Sequence, residues 1–225
     1  MLGVFVPAIV IAYLIGAVPF GPIIARMHGK NLRTIGSGNT GATNVARACG
    51  RKWGYTCFGL DVLKGLVPMI GARLAAARLL EIDGATIGPG FLTLWLAVGA
   101  AAILGHVFPV YLRFKGGKGV STSLGIGLGL WPYFTVGAVI ALLIWIAVVL
   151  TWRYVSLASI CAATSFPITL AVAIAVKGDW DFASLWPLMI AAAAIPLLVI
   201  ALHRGNVKRL IAGTESKIRS KASNA

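Results

Sequence analysis

The chain has 225 residues, of which 59% are hydrophobic and only 12% are charged. Its mean hydropathy of +0.90 excludes an ordinary soluble globular domain and indicates an integral membrane protein. The formal net charge of +14 does not indicate a nucleic-acid partner. The basic residues lie between apolar segments, where anionic lipid or an anionic substrate is the expected partner. The three cysteines have no metal-ligand spacing and predict no disulfide framework.

Five apolar stretches are long enough to cross a bilayer, which takes about 20 residues. They are residues 4–25, 91–112, 133–150, 157–176 and 185–202. The first stretch lacks a basic start and is predicted to be a retained span, not a cleaved signal peptide. Two weaker candidates, a charged stretch at 53–80 and a short glycine-rich one at 120–131, bring the predicted total to seven. We expect one all-α membrane domain over residues 1–225, with 219–225 as a flexible cytoplasmic tail.

The distribution of charge supports seven spans. With seven, the basic residues of the first, third and fifth connections and of the C-terminal tail all lie on one side of the membrane. The remaining connections contain little positive charge, and two of them contain acidic residues. The positive-inside rule then predicts that the N-terminus lies outside and that the C-terminus is cytoplasmic.

A polar, glycine-rich segment at residues 36–47 follows the first span. Its small residues allow sharp backbone turns and close approach to a ligand, and backbone N–H groups beside a guanidinium suit a phosphate. Thr43 or Asn44 is expected to cap a short helix, whose N-terminus adds partial positive charge. The alternative is a plain loop with a basic flank. The candidate ligand-binding side chains are Ser37, Asn39, Asn44 and Arg47.

A second segment reads Lys115-Gly116-Gly117-Lys118-Gly119. Glycines between two lysines can form a nest, a concave set of backbone N–H donors around an anion. The segment is not a Walker A loop, because glycine follows the second lysine where that motif requires Ser or Thr. ATP hydrolysis is therefore not indicated. The alternative is a positively charged membrane anchor with glycine hinges.

A third segment follows the last span and contains His203, Asn206 and Glu215. The histidine is a candidate base or a donor to phosphate. Glu215 is an isolated acid among basic residues, a pattern more typical of a structural ion pair than of chemistry. These side chains are expected on the same cytoplasmic face as the two earlier segments.

Two further features involve polar residues at or near the spans. Asp61 and Lys64 are three residues apart on one face of the stretch 53–80 and predict a structural ion pair. A substrate-orienting role for Lys64 is the alternative. Ser156, just before the span at 157–176, can cap that helix or donate to a phosphate.

The three segments together resemble one family. The first has the pattern Ser-Gly-Asn-x-Gly-x-x-Asn with an arginine three residues later. The second is a Lys-Gly-Gly-Lys-Gly loop preceded by Gly-His-Val-Phe-Pro, and the third is His-x-x-Asn followed by Gly-Thr-Glu. Their order and apolar context are similar to the bacterial glycerol-3-phosphate acyltransferases that use acyl phosphate, the PlsY family. The resemblance covers residues 16–218.

The resemblance implies a seven-helix protein of the bacterial inner membrane with its active site at the cytoplasmic face. It implies transfer of a fatty acyl group from acyl phosphate to the 1-hydroxyl of glycerol 3-phosphate, which yields lysophosphatidic acid and phosphate. No metal or organic cofactor is expected. The expected partners are the two substrates, membrane lipid and the soluble enzyme that produces acyl phosphate, with no nucleic acid. Nothing in the residues excludes acyl-CoA as the donor.

The resemblance also implies roles for individual residues. The catalytic set would be Ser37, Arg47, His203 and Asn206. The phosphate-binding set would be Asn39, Asn44, Lys115, Gly116, Gly117, Lys118, Gly119 and Ser156. Structural residues near the site would be Glu215, Asp61 and Lys64.

Two questions stay open at the level of sequence. The general base is either His203 or a phosphate oxygen of a substrate, whose second pKa lies near 6. The alternative function is a transporter or channel for a phosphorylated anion. That function requires polar groups on both faces and near mid-membrane, whereas the polar segments here gather on one predicted face.

Overall fold

The computed structural model describes residues 1–81, 87–178 and 180–218, and these residues form ten α-helices and no β-strand. Residues 219–225, expected to be a flexible tail, lie outside the described residues. The helices are α1 (Leu2–Ala17), α2 (Phe20–Met27), α3 (Ala42–Cys49), α4 (Arg51–Leu79), α5 (Pro89–Val107), α6 (Val120–Gly129), α7 (Thr135–Trp152), α8 (Val155–Val176), α9 (Phe182–Leu202) and α10 (Arg204–Ile211).

Five stretches are long and apolar enough to cross a membrane, and they coincide with the five stronger predictions from the sequence. They are Leu2–Met27, Pro89–Leu112, Thr135–Trp152, Val155–Val176 and Phe182–Leu202. The second of these, centred on α5, is 61% buried, compared with 17% to 33% for the other four. α5 is therefore the most buried of the five, and it packs against α1, α4, α6 and α9.

The two weaker candidates for spans are also helical. α4 has 29 residues but includes several charges, and α6 has only 10 residues. The two helices approach each other closely because both have glycine at their contact. A Cβ on Gly65 would lie 2.3 Å from the Thr122 carbonyl oxygen, and one on Gly125 would lie 2.0 Å from that of Val62. This contact holds α6 against the middle of α4.

The first predicted span is not one continuous helix. α1 ends at Ala17 and α2 begins at Phe20, because Pro19 forces the preceding residue into an extended conformation. Val18 accordingly has φ −57° and ψ 118°. Its carbonyl oxygen accepts a hydrogen bond from the Lys64 ammonium at 3.2 Å. The helix break thus supplies a partner for a buried charge.

Asp61 and Lys64 form the ion pair that their spacing predicts. The ammonium nitrogen lies 2.9 Å from a carboxylate oxygen, and each side chain is only 4% exposed. The hydroxyl of Thr122 donates to the Asp61 carbonyl oxygen at 3.1 Å. The pair therefore lies inside the bundle, where α4 packs against α6 and the α1–α2 break.

We expect Lys64→Met to destabilise the protein by about 3–5 kcal/mol, because it leaves the Asp61 carboxylate buried without its partner. The double variant Asp61→Asn/Lys64→Met removes both charges and should recover most of that loss. Unfolding in detergent micelles measures the effect, with Lys52→Met at an exposed position of the same helix as the control. A double variant as unstable as the single one would contradict this prediction.

Candidate active site

The three polar segments meet around one cavity of about 390 Å³. The three segments are the chain between α2 and α4, the chain that leads into α6 and the chain after α9, and the start of α8 adds a further part of the wall. Ten of the residues singled out in the sequence line this cavity: Ser37, Asn39, Asn44, Arg47, Lys118, Gly119, Ser156, His203, Asn206 and Glu215. Residues distant in sequence are thus brought into one site.

Several helix N-termini contribute to the cavity wall. The first residues of α3, α6 and α8, which are Ala42, Val120 and Val155, all line it. First-turn N–H groups have no partner within their helix, and the helix dipole places partial positive charge there. Such N-termini bind phosphate in many proteins. The backbone and the basic side chains therefore favour the same kind of ligand.

Glu215 links the segments on one side of the cavity. One carboxylate oxygen accepts hydrogen bonds from the Ser156 hydroxyl at 2.8 Å and from the Asn206 amide at 2.6 Å. The other accepts from Arg209 at 2.7 Å. Burial raises the pKa of Glu215, but the hydrogen bonds from these three residues outweigh it, and the pKa lies below its ordinary value. The carboxylate is ionised and holds α8 and α10 together.

Lys118 joins this network through Asn206, because its ammonium donates to the Asn206 side-chain oxygen. Burial lowers the pKa of Lys118, Glu215 opposes this, and the positive charges of Arg209 and Arg47 add to the lowering, so that the pKa lies at about 8. A partly desolvated ammonium beside two guanidinium groups attracts a dianion strongly. Lys118 therefore lies where a phosphate is most stabilised.

His203 is a neutral hydrogen-bond acceptor in this site. Its Nδ1 lies 2.7 Å from the Val199 carbonyl oxygen, a contact that requires the proton on Nδ1 and leaves Nε2 as an acceptor. Burial lowers the pKa of His203 to about 4, and Lys118 contributes in the same direction. The imidazole is therefore uncharged at neutral pH.

Asn44 shapes the first polar segment and does not cap α3. The N-cap is Gly41, so the prediction of a cap at Thr43 or Asn44 is wrong. The Asn44 amide donates to three carbonyl oxygens, at 2.9 to 3.1 Å, while its oxygen accepts from the Ser37 N–H at 3.1 Å. These bonds use the side chain to hold the loop, which presents Ser37 and Arg47 to the cavity.

The predicted glycine nest is only partly formed. Gly116 and Gly117 donate their N–H groups to the carbonyl oxygens of Val107 and His106, both at 3.0 Å, and do not line the cavity. A Cβ on Gly117 would lie 2.1 Å from His106 Nε2, so glycine is required by packing against the imidazole. Both N–H groups are thus used by the backbone in this structure, and a phosphate-binding role for the two glycines stays a prediction.

Lys115 and Lys118 have different environments despite their similar sequence context. Lys115 is exposed and outside the cavity, and its carbonyl oxygen accepts from the Arg33 guanidinium. Lys118 and Gly119 reach the cavity, where Gly119 takes a left-handed conformation with φ 77° and precedes α6. Of the two lysines, Lys118 is the one placed to contact a ligand.

An apolar groove continues from the cavity between helices α6 to α9. We define the groove by its two ends: Val120, Trp145 and Ser159 line both the groove and the cavity, and Gly127, Phe134 and Phe166 lie at the other end. The Trp145 indole donates to the Ser159 hydroxyl at 3.2 Å where the two spaces join. A cationic cavity that continues into an apolar groove suits a molecule with an anionic head and a hydrocarbon tail.

Known proteins with similar sequences share one name. Residues 6–213 match the model of a family described as glycerol-3-phosphate acyltransferase. A protein of that name from Syntrophotalea carbinolica is 44% identical over 213 residues, which cover 93% of this chain and 95% of its relative. One from Aquifex aeolicus is 39% identical, with 93% and 96% covered. The chain belongs to the glycerol-3-phosphate acyltransferase family.

Solved structures of an acyltransferase from this family share the fold. A crystal structure of PlsY, an integral membrane glycerol 3-phosphate acyltransferase, in its glycerol 3-phosphate form matches with a TM-score of 0.78 and 39% identity, covering 96% of both chains. Its lysophosphatidic acid form matches with a TM-score of 0.76 and 38% identity, covering 96% of this chain and 95% of that one. This acyltransferase is therefore an integral membrane protein.

Sequence reasoning missed the residues of the acyltransferase cavity that come from apolar helices. Phe58, Trp145 and Ser159 line it, together with His106. The first three lie within hydrophobic stretches, where composition does not reveal which face points inward. His106 precedes the Lys-Gly loop in the recognised pattern but had been given no role. Trp145 and Ser159 lie on two different helices, so no helical periodicity in the sequence links them.

The alkaline side of the pH–rate profile is expected to follow Lys118. Its ammonium is expected to bind phosphate, so kcat/KM should fall as the pH rises through about 8. Among the other groups that face it, Glu215, whose pKa is lowered, is already ionised there, and His203, with a pKa of about 4, is already neutral. Lys118→Arg, which cannot deprotonate in this range, should remove the decline. An unchanged decline in that variant would contradict the assignment.

Proposed function

We propose that this acyltransferase transfers a fatty acyl group from acyl phosphate to the 1-hydroxyl of glycerol 3-phosphate, with release of lysophosphatidic acid and inorganic phosphate. One observation carries the proposal: the cationic cavity continues directly into the apolar groove. The acyl chain would lie in the groove and both phosphate groups in the cavity. The mixed anhydride would then lie at the junction beside Val120 and Trp145.

Phosphate binding rests on the charged and backbone groups of the cavity. Lys118 and Arg47 supply positive charge, and the N-termini of α3, α6 and α8 supply N–H donors. Ser37 and Asn39 lie in the same wall and offer further donors, while Ser156 and Asn206 act mainly by placing Glu215 and Lys118. We assign Asn44 to the shaping of the loop.

The reaction needs no activation of the donor, because acyl phosphate is a mixed anhydride. The glycerol hydroxyl oxygen attacks the acyl carbon, and the bond from that carbon to the phosphate oxygen breaks with its electron pair leaving on phosphate. The hydroxyl proton moves to the departing phosphate, so the products are the ester and hydrogen phosphate. The cavity holds the two substrates together and stabilises the oxyanion and the leaving group.

The low pKa of His203 bears on the choice of base. At about 4 it lies below the second pKa of phosphate, near 6, so a phosphate oxygen is the stronger base. We assign to His203 Nε2 the role of accepting a hydrogen bond from the attacking hydroxyl, which orients it. Ser37 is assigned as a hydrogen-bond donor and not as an acylated nucleophile.

We further propose that α4 and α6 cross the membrane with the five apolar stretches, which gives seven spans in one domain. The cavity is assembled from the chain after α2, before α6, before α8 and after α9. With seven spans these connections lie on one side, and their basic residues favour the cytoplasmic face of the bacterial inner membrane. The N-terminus is then outside, and the soluble enzyme that makes acyl phosphate would deliver it to this face.

The deciding experiment uses purified protein with labelled glycerol 3-phosphate and either acyl phosphate or acyl-CoA. We expect lysophosphatidic acid from acyl phosphate. Product from acyl-CoA alone would contradict the proposed donor, and product from neither would contradict the enzyme assignment. Quenched reactions with labelled acyl phosphate test the direct attack, which a covalent acyl adduct on Ser37 would overturn.

A further inference from the structure

Two aromatic rings line the end of the apolar groove that lies away from the cavity. Phe134, just before α7, and Phe166 of α8 both line it and are 1% and 8% exposed. Their rings meet edge to face, with centroids 4.8 Å apart and an interplanar angle of 89°. Beside them α6 and α7 are in tight contact, since a Cβ on Gly127 would lie 2.8 Å from that of Ala138. A hydrocarbon chain entering from the cavity meets these two rings.

Phe166 also packs against Gly137 of α7. A Cβ on Gly137 of α7 would lie 2.9 Å from the Thr169 hydroxyl and 3.2 Å from the Phe166 ring. The Thr169 hydroxyl donates to the Phe166 carbonyl oxygen at 2.8 Å. The Phe166 ring therefore packs closely against α7.

The distance from the cavity to the two rings is the same along three helices. On each helix, the residue beside the cavity and the residue at the ring end of the groove are seven positions apart. These pairs are Val120 and Gly127 on α6, Trp145 and Ala138 on α7, and Ser159 and Phe166 on α8. At about 1.5 Å per residue, each path is about 10 Å long. The groove thus has a defined length, set by helix geometry, between the reacting end and the Phe134–Phe166 pair.

We propose that the Phe134–Phe166 pair limits the length of acyl chain that the enzyme uses efficiently. The inference rests on the proposed function, because it takes the acyl chain of the donor as the occupant of the groove. Each methylene buried in the groove raises the affinity for the acyl chain by about fourfold. An acyl chain longer than the groove must bend out between the helices or displace the two rings. Its extra methylenes then add no affinity, and kcat/KM for the longer donor falls.

The test is a chain-length profile, measured as kcat/KM for saturated acyl phosphates of increasing length. Phe166→Ala and Phe134→Ala remove a ring that extends about 5 Å and should move the optimum to chains longer by about two to four carbons. Ala163→Leu fills the middle of the groove and should move the optimum the other way. The milder Phe166→Leu should shift it in the same direction as the alanine variant.

Phe5→Ala is the matched control. Phe5 is fully buried and meets Phe91 edge to face at 5.3 Å, but it lies on α1, which does not line the groove. The Phe5→Ala protein should lose about as much stability as the groove variants, and its chain-length profile of kcat/KM should stay unchanged. If folded groove variants keep the wild-type profile, or if Phe5→Ala shifts it equally, the length limit is wrong while the proposed function stands. Wild-type protein that uses no acyl phosphate of any length overturns the proposed function itself.

Discussion

Lys118→Met is expected to lower kcat/KM by about 10²- to 10³-fold, whereas Lys115→Met, in the same loop, should change it by less than about twofold. The Lys118 ammonium lies in the cavity beside Asn206, where it can bind and stabilise a phosphate dianion. Lys115 is exposed outside the cavity, and its backbone contact to Arg33 does not depend on the side chain. Formation of labelled lysophosphatidic acid measures both variants under identical conditions.

The lysine pair forms its own control, because each substitution removes one positive charge from the same loop. A general loss of membrane-surface charge would affect both variants equally. Lys118→Arg should retain part of the activity, since it keeps the charge but changes the hydrogen-bond geometry. Equal losses in Lys115→Met and Lys118→Met, with unchanged thermal unfolding, would contradict the assignment.

The clustering of the polar residues could be predicted because they stand out from an apolar background. Ser37, Arg47, Lys118 and His203 are each distinguishable by type, and the positive-inside rule predicts one membrane face for their segments. The structure brings all four to one cavity. What could not be predicted is which N–H groups remain available: Gly116 and Gly117 are used by the backbone, a pairing that depends on how the loop folds against α5.

The apolar groove could not be predicted from the sequence for a different reason. In a membrane helix both the lipid-facing and the inward-facing sides are apolar, so hydrophobic periodicity does not distinguish them. Ala138 and Trp145 of α7 face the groove, while Leu143 on the same helix is 59% exposed. The break between α1 and α2 was also missed, because Pro19 does not interrupt the apolar stretch. Proline nevertheless disfavours a helical conformation in the residue before it, which is a signal that the sequence does contain.

Glu215→Ala is expected to lower activity by about 10²-fold or more and to release the segment 213–218 from the protein. The carboxylate accepts hydrogen bonds from Ser156, Asn206 and Arg209, and each charged hydrogen bond contributes about 1.5–3 kcal/mol. Without it, Asn206 no longer has a fixed partner with which to orient Lys118. The activity assay and hydrogen exchange of the 213–218 peptide measure the two effects.

Hydrogen exchange separates a structural role from a chemical one. In the folded protein the Ile218 N–H donates to the Arg153 carbonyl oxygen at 2.9 Å, so its exchange reports whether the segment is docked. Glu215→Gln can keep part of the network but loses the ion pair with Arg209, and intermediate values of both readouts are expected. Glu81→Ala, at an exposed acid outside the cavity, should change neither. If Glu215→Ala loses activity while Ile218 stays protected, the carboxylate acts in the chemistry, because the structural effect on the segment would then be absent.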